Sequence, residues 1–371
     1  MNETLPIWIY LVAAVIKSAI VLLLLLTAVA YTVWLERKVV GHMQNRWGPT
    51  RVGPFGLLQP AADGIKFLFK EDLTPPHVYK PLFLAAPLIA VIFALTSIAM
   101  IPFGNSFTFG PFTLPQFLPF HYELPFHWGG AVIGPYSIPL QITDVNTGLL
   151  VILGVTSIGV YGVALAGWSS NNKYSLLGGL RASAQMVSYE ISLGLSLVGV
   201  LILSGSFSLR DIVDAQGGTF LGFIPRWNIF VQPVAFFCYL MAAYAETNRI
   251  PFDLPEAETE LVAGYHTEYS AMKFAMFFMA EYANMITVAC LATLLFLGGW
   301  HGPIGGPPIV QVILPVFWFC AKVFAFLFLY IWVRGTLPRF RYDQLMAFGW
   351  KFLLPLALAN LIVTAIVIVV K

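Results

Sequence analysis

Apolar residues run through this chain in long blocks separated by short charged stretches. A transmembrane helix needs about 20 mostly apolar residues. Eight blocks meet or approach that length, at residues 8–34, 81–102, 148–168, 184–204, 229–245, 270–298, 309–333 and 350–370. The first and sixth exceed what a bilayer requires, which predicts tilt or extension beyond it. The pattern predicts an all-α, polytopic membrane protein of about eight transmembrane helices, one membrane domain over 1–371. One shorter stretch follows a different logic. Leu58, Ala61, Ala62, Ile65, Leu68 and Phe69 fall on one helical face, and Lys66 and Lys70 lie close by. That spacing predicts an amphipathic helix in the membrane interface, within a loop spanning 35–80.

Composition narrows the class. The chain is 58% hydrophobic and only 10% charged, against about 25% charged residues in a soluble domain. A soluble enzyme, a disordered chain and a nucleic-acid binder are excluded. The net charge of +2 is uninformative, but the distribution of basic residues is not. One loop carries Arg37, Lys38, Arg46, Arg51, Lys66, Lys70 and Lys80. Three alternate loops carry Lys173 and Arg181; Arg249 and Lys273; and Arg334, Arg339, Arg341 and Lys351. The opposite loops have only Arg210 and Arg226, with Lys371 at the terminus. The positive-inside rule predicts these four loops in the cytoplasm and both termini on the outer, periplasmic side. The first block lacks a basic n-region and exceeds a signal h-region, so it reads as a span rather than a cleaved signal.

Cys238, Cys290 and Cys320 are far apart, with no CxxC pair, and each sits in an apolar stretch. Four ligands are the norm for an Fe–S cluster or structural zinc. No flavin or nicotinamide fingerprint is present either. The expectation is a chain that binds no Fe–S cluster, flavin or metal, with the cysteines as small buried hydrophobes. Residues 103–147 are rich in Pro, Phe and Gly and contain no Lys or Arg. They read as an ordered outer-face excursion.

Three places break the pattern of an ordinary helix bundle. The first is the 35–80 loop, dense in Pro and Gly before its amphipathic helix, which suggests a fixed, irregular structure. It reads either as a membrane-surface anchor or as a rigid floor for a lipid-soluble ligand with a docking surface. The second is the 246–269 loop, which holds Glu246, Asp253, Glu256, Glu258, Glu260 and Glu268. Asp253-Leu254-Pro255-Glu256 has the form of a capping box, so helix-start chemistry accounts for some of this acidity. It does not account for six carboxylates. The third is a set of charges within spans: Lys17, Glu190, Glu281 and Lys322, with Glu190 just inside the fourth block. A charge at bilayer centre costs about 2.5–3.5 kcal/mol on insertion scales. Glu190 and Glu281 therefore read as parts of a proton or ion path, or as hydrogen-bonded acids that tie helices together. Snorkelling suits the lysines.

Long motifs match one family in order. They are Trp34 to Glu71; Leu180-Arg181-Ala182-Ser183-Ala184-Gln185 through Glu190; Pro251-Phe252-Asp253-Leu254-Pro255-Glu256-Ala257-Glu258 through Lys273; and Pro338-Arg339-Phe340-Arg341-Tyr342-Asp343-Gln344-Leu345. In these stretches the chain resembles the H-type membrane subunits of bacterial NADH:quinone oxidoreductase, the respiratory complex I. The resemblance covers essentially the whole chain except 103–147. It implies a subunit without a catalytic residue of its own that joins a membrane arm to a peripheral arm and walls the quinone chamber. By motif position it assigns Arg37, Arg46, Asp63, Arg334 and Arg339 to that chamber, with Trp47 and Phe67 as apolar neighbours. It implies a carboxylate path through Glu190, Glu246, Asp253, Glu256, Glu258, Glu260, Glu268 and Glu281. It also implies quinone as substrate, hydrophilic quinone-site and Fe–S subunits on the cytoplasmic side, other membrane-arm subunits, and a place in the bacterial inner membrane. Electrons would arrive from those partners.

Two other readings keep part of this pattern. Membrane-bound hydrogenases and ferredoxin- or deazaflavin-linked dehydrogenases have related subunits. A secondary transporter would also use buried acids, but no paired broken segments occur in two halves. A purely structural anchor leaves the acid series without a role.

Overall fold

A computed structural model describes residues 7–104, 107–109, 136–138, 140–220, 224–253, 263–303 and 308–370. The helices are α1 (Ile7–Met43), α2 (Gln59–Phe69), α3 (Lys80–Ser97), α4 (Gly148–Ser169), α5 (Lys173–Ser204) and α6 (Leu209–Ala215), followed by α7 (Asn228–Val231), α8 (Pro233–Glu246), α9 (Ala271–Phe296), α10 (Pro308–Thr336), α11 (Tyr342–Phe348) and α12 (Leu354–Val370). Among the described residues, seven helices are long and apolar enough to cross a membrane. The protein is an all-α, multi-pass membrane protein. Two short antiparallel ribbons accompany the helices, β1 (Phe107–Phe109) with β2 (Tyr136–Ile138), and β3 (Thr219–Phe220) with β4 (Ile224–Pro225).

Several boundaries differ from those the hydropathy predicts. The block at 229–245 is not one continuous helix. The chain leaves helical geometry at Gln232 (φ −128°, ψ 56°), and α8 starts on Pro233. Proline offers no N–H to continue the preceding turn and suits a helix start. Its 14 residues reach only about 21 Å at 1.5 Å per residue. Hydrogen bonds nevertheless set its direction. Asn228 Nδ2 donates to the Leu295 carbonyl at 2.8 Å, Tyr239 donates to Val288 at 2.8 Å, and Arg249 pairs with Glu281 at 2.7 Å. The α7–α8 pair thus runs antiparallel to α9, and α8 is apolar but shorter than the seven spans.

The fourth block starts eleven residues before 184, because α5 begins at Lys173. Asn172 caps it, its side chain accepting from the Tyr174 N–H at 3.0 Å. Hydropathy discounts this first part for its Lys and Arg, but glycine makes it pack. A Cβ on Gly178 would lie 2.7 Å from the Cα of Gly264. Glu190 therefore sits midway along α5 rather than at its edge. Likewise α1 continues through Trp34 and Glu36 to Met43, so the first part of the expected 35–80 loop is helix. The last block carries a π turn at Gly349–Leu353, where the Leu354 N–H reaches the Gly349 carbonyl. Pro355 offers no N–H to the Lys351 carbonyl, which accounts for this widened turn.

Helices α3, α4, α5, α8 and α9 form the packed centre, with α12 against α5. Burial separates their roles: most of α9 is enclosed by the bundle, whereas most of α1 is not. The basic loops meet at one end of the bundle. Lys273 contacts Asp72 at 3.1 Å, Asn171 donates to His77 at 3.2 Å, and the Phe340 N–H donates to Pro251 at 3.1 Å. Tyr269 stacks on Phe83 at this end, and burial pushes its hydroxyl up to about 12 against the lowering effect of Ser169. The expected amphipathic helix is α2. It has no buried residue, and Ile65, Leu68 and Phe69 are exposed on its apolar side. Most of the 103–147 excursion lies outside the described residues.

Two expectations about individual side chains change. Cys238 and Cys290 are buried, but Cys320 is exposed on α10, because it faces outward from that helix rather than into the bundle. Lys322 does not snorkel. Its Nζ donates to the carbonyls of Leu297, Gly299 and His301 at 2.7, 2.9 and 2.7 Å. A cation there satisfies the carbonyls left open at the C-terminal end of α9 and complements its dipole. Each stranded buried carbonyl costs about 1–3 kcal/mol. Lys322→Met, which keeps the length but not the donors, is expected to lower the unfolding midpoint of the detergent-solubilised protein by several degrees. An unchanged midpoint would show that water serves these carbonyls equally well.

Candidate functional site

Successive helix residues point about 100° apart, since a turn holds 3.6 of them. At the end of α1 this separates two neighbours. Arg37 turns outward to α2 and pairs with Asp63 at 2.7 Å, while Gln59 also donates to Asp63 at 2.9 Å. Glu36 turns inward and is 7% exposed.

Glu36 meets an unusual concentration of charge. Arg334 of α10 pairs with its Oε1. Arg249, three residues beyond α8, brings its Nη1 to 3.4 Å from Oε2. Tyr282 of α9 donates its hydroxyl to Oε2 at 2.8 Å. Arg249 also extends Nε to Glu281 at 2.7 Å and lies 4.1 Å from the Tyr282 ring centroid. Two carboxylates and two guanidinium groups thus form a charge-balanced chain, interior except at the partly exposed Arg334, linking α1, α9, α10 and the segment after α8. Local structure delivers Arg249 to that place. Asn248 adopts a left-handed φ of 49°, and the Arg249 N–H donates to Tyr244 at 3.3 Å, which folds the chain back at the end of α8. Gln185 of α5 then secures the turn, its Nε2 lying 2.9 Å from the Ala245 and Phe252 carbonyls and 3.1 Å from Asn248 Oδ1.

The structure divides the residues expected at a quinone chamber. Arg37, Arg46 and Trp47 line one open cavity of about 470 Å³ together with Gly48 and Pro49. Asp63 braces it through Arg37. Phe67 is half-buried on α2 and does not line it. Arg334 belongs to the Glu36 cluster one residue along α1. Arg339 instead joins an acid of the other set, pairing with Asp253 at 3.2 Å. Around that pair Phe252 stacks on Phe340 at 5.6 Å. The start of the acidic segment is therefore clamped to the loop before α11.

The acid series is likewise divided. Glu281 ends the Arg249 chain. Glu246 is interior, its Oε2 meets no hydrogen-bond partner among the described residues, and Glu190 is close enough to repel it. Glu190 is hydrogen-bonded by Ser157 of α4. Glu268 accepts from Asn172 at 2.7 Å at the basic end of the bundle. Glu256, Glu258 and Glu260, with the expected capping box, lie outside the described residues. Among the described residues no group of three or more His, Cys, Asp or Glu is placed to hold a metal ion.

Glu36, Arg249 and Tyr282 are functional candidates that the sequence pattern passed over. Glu36 and Arg249 stood among ordinary loop charges, and no local spacing joins partners 213 residues apart. Tyr282 gave one signal, its position beside the intramembrane Glu281.

An apolar multi-pass bundle with a chain of ion pairs running from its edge into its interior, beside an open cavity, defines a polytopic membrane protein with charge built into its core. The family model described as NADH dehydrogenase matches residues 16–365. An NADH-quinone oxidoreductase H subunit from Koribacter versatilis is 68% identical over 366 residues, covering 98% of each chain. One from Solibacter usitatus is 48% identical, covering 97% of each. Another, from Geobacter metallireducens, is 50% identical, covering 97% of this chain and 96% of its own. This chain belongs to the family of NADH-quinone oxidoreductase H subunits. The hydrogenase-related and transporter readings are not favoured.

Burial separates the two arginine pairs by consequence. Arg249 and Glu36 side chains are 7% and 9% exposed, whereas Arg37 is 51% exposed. Removing one partner of a buried pair costs about 3–5 kcal/mol, and an exposed pair contributes about 0–1 kcal/mol. Arg249→Met is expected to lower thermal stability strongly, and Arg37→Gln hardly at all. Equal shifts for both variants in the purified complex would contradict the burial argument.

Proposed function

We propose that this chain serves as the membrane subunit of a proton-translocating NADH:quinone oxidoreductase. In this reading it forms part of the quinone chamber and begins a carboxylate path that couples quinone reduction to proton movement. One observation carries the proposal. The cavity residue Arg37 and the buried Glu36 are adjacent in α1, and Glu36 is joined through Arg249 to Glu281 deep in α9. A change of charge at the cavity is therefore one residue away from an ion-pair chain leading into the bundle.

Quinone is the substrate. It is apolar with two carbonyls, and sites for such ligands combine greasy walls with a few polar groups. Arg37 and Arg46 supply N–H donors, Trp47 supplies a flat apolar face, and the exposed apolar side of α2 offers a lipid-level approach. Redox centres belong to the hydrophilic partner subunits, which dock on the basic end; this chain binds no flavin, Fe–S cluster or metal. The positive-inside rule puts that end in the cytoplasm of a bacterial inner membrane, with both termini on the periplasmic side. Other membrane-arm subunits receive the signal from Glu190, Glu246 and Glu281.

The coupling element is the segment that begins at Arg249. It carries Arg249 and Asp253, and it continues into Glu256, Glu258 and Glu260. Arg249 bridges two carboxylates, so a change at Glu36 alters how firmly the guanidinium is held at Glu281. Coupling of this kind needs an element that both sites bias. Glu281→Gln and Glu258→Gln, placed in the assembled enzyme and reconstituted in vesicles, are expected to pump fewer protons per quinone reduced. Normal stoichiometry in both variants would rule out the path.

A further inference from the structure

The Ser157 hydroxyl on α4 has two acceptors and one proton. It lies 2.8 Å from the Leu153 carbonyl, one turn earlier on its own helix, and it is also hydrogen-bonded to Glu190 Oε1 across the α4–α5 contact. A serine has a single O–H donor and two acceptor lone pairs. An ionised carboxylate only accepts, whereas a protonated carboxyl donates. The hydroxyl proton therefore has two satisfied positions, and the state of Glu190 selects between them.

We propose that Ser157 is a positioning residue for Glu190, its hydroxyl turning between the Leu153 carbonyl and the Glu190 carboxylate so that Glu190 is hydrogen-bonded in both protonation states. When Glu190 is ionised, Ser157 donates to it. When Glu190 is protonated, the carboxyl donates to Ser157 Oγ, and Ser157 returns its own proton to Leu153. Ser157 keeps its proton throughout; only the Glu190 proton enters and leaves along the path. Turning away from Leu153 strands little, because a carbonyl within a helix also accepts its own backbone N–H.

The surroundings give this arrangement a purpose. Glu190 sits midway along α5, level with the middle of α4, where an unsolvated charge is costly. Its neighbour Glu246, at the end of α8, is a second acid and offers no cation. The Ser157 hydroxyl stands on the α4 side. A fixed donor there would favour one state of Glu190. A hydroxyl that reorients by rotation about one bond serves both.

The inference rests on the proposed place of Glu190 in the carboxylate path. The test uses the intact complex in membranes, with S157A, S157T and E190Q. In redox-induced infrared difference spectra, the protonated-carboxyl C=O band that E190Q removes belongs to Glu190. S157A is expected to move that band to higher frequency, because it removes the hydrogen-bond partner. S157T, which keeps the hydroxyl, is expected to hold the band where it is in the unaltered enzyme. Proton pumping in S157A is expected to slow about tenfold, the equivalent of roughly 1.4 kcal/mol at one barrier. S157T is expected to restore the rate. An unshifted band in S157A, or an equal shift in S157T, overturns the proposal. So does the absence of any band sensitive to E190Q, since Glu190 then keeps one state. Normal pumping by E190Q refutes the path reading itself, whatever the band does in S157A.

Discussion

Burying a charge in a membrane protein is tolerable only beside a counter-charge, and the organisation around Glu36 follows from that constraint. One inward carboxylate at the end of α1 collects Arg334, Arg249 and the Tyr282 hydroxyl, and Arg249 continues to Glu281. Four segments that share no local sequence are tied by this neutral chain. Its energetic worth is best seen as specificity, because the cost of desolvating four charges offsets much of their attraction. Removing Arg249 leaves Glu281 without this partner and Glu36 with Arg334 and Tyr282 alone. The segment leading from α8 is held by a fixed register of charge rather than by apolar packing alone.

The same constraint appears at the other end of the bundle with a different outcome. Lys322 is an intramembrane cation, yet its three partners are backbone carbonyls past the end of α9. It closes a helix. Glu190 and Glu246 differ again. They are neighbouring acids, and a serine hydroxyl attends Glu190. Interior ionisable groups in this chain thus meet the constraint in three ways: by pairing with opposite charge, by closing a helix end, and by a hydroxyl contact.

The spans were legible in the sequence because length and hydropathy suffice to place a helix in a bilayer. The basic loops were legible as one end because their residues do contact one another. What escaped was whatever depends on partners distant in sequence. Glu36 and Arg334 are 298 residues apart, and within Trp34-Leu35-Glu36-Arg37-Lys38 nothing marks Glu36 as inward. The start of α5 escaped because close glycine packing, not apolar content, holds it. The break before α8 was written in Pro233 but hidden by the hydropathy of its neighbours. Most of the residues assigned by resemblance to a quinone chamber and an acid path do have charged or polar partners. They scatter, however, over a cavity edge, a chain of ion pairs, a clamp on the 253 segment and separate polar contacts at Glu190 and Glu268, with Arg334 and Arg339 joined to acids rather than to the cavity.

Glu36 and Arg249 act as one unit, and on that coupling the rest depends. A double-mutant cycle tests it most directly, with Glu36→Gln, Arg249→Met and the double variant compared by unfolding midpoint in the purified complex. Residues in direct contact within one network show interaction energies of about 0.5–3 kcal/mol. The expected result is a double variant little worse than the worse single one. Additive losses would contradict it, since they would mean that the two side chains stabilise the bundle independently.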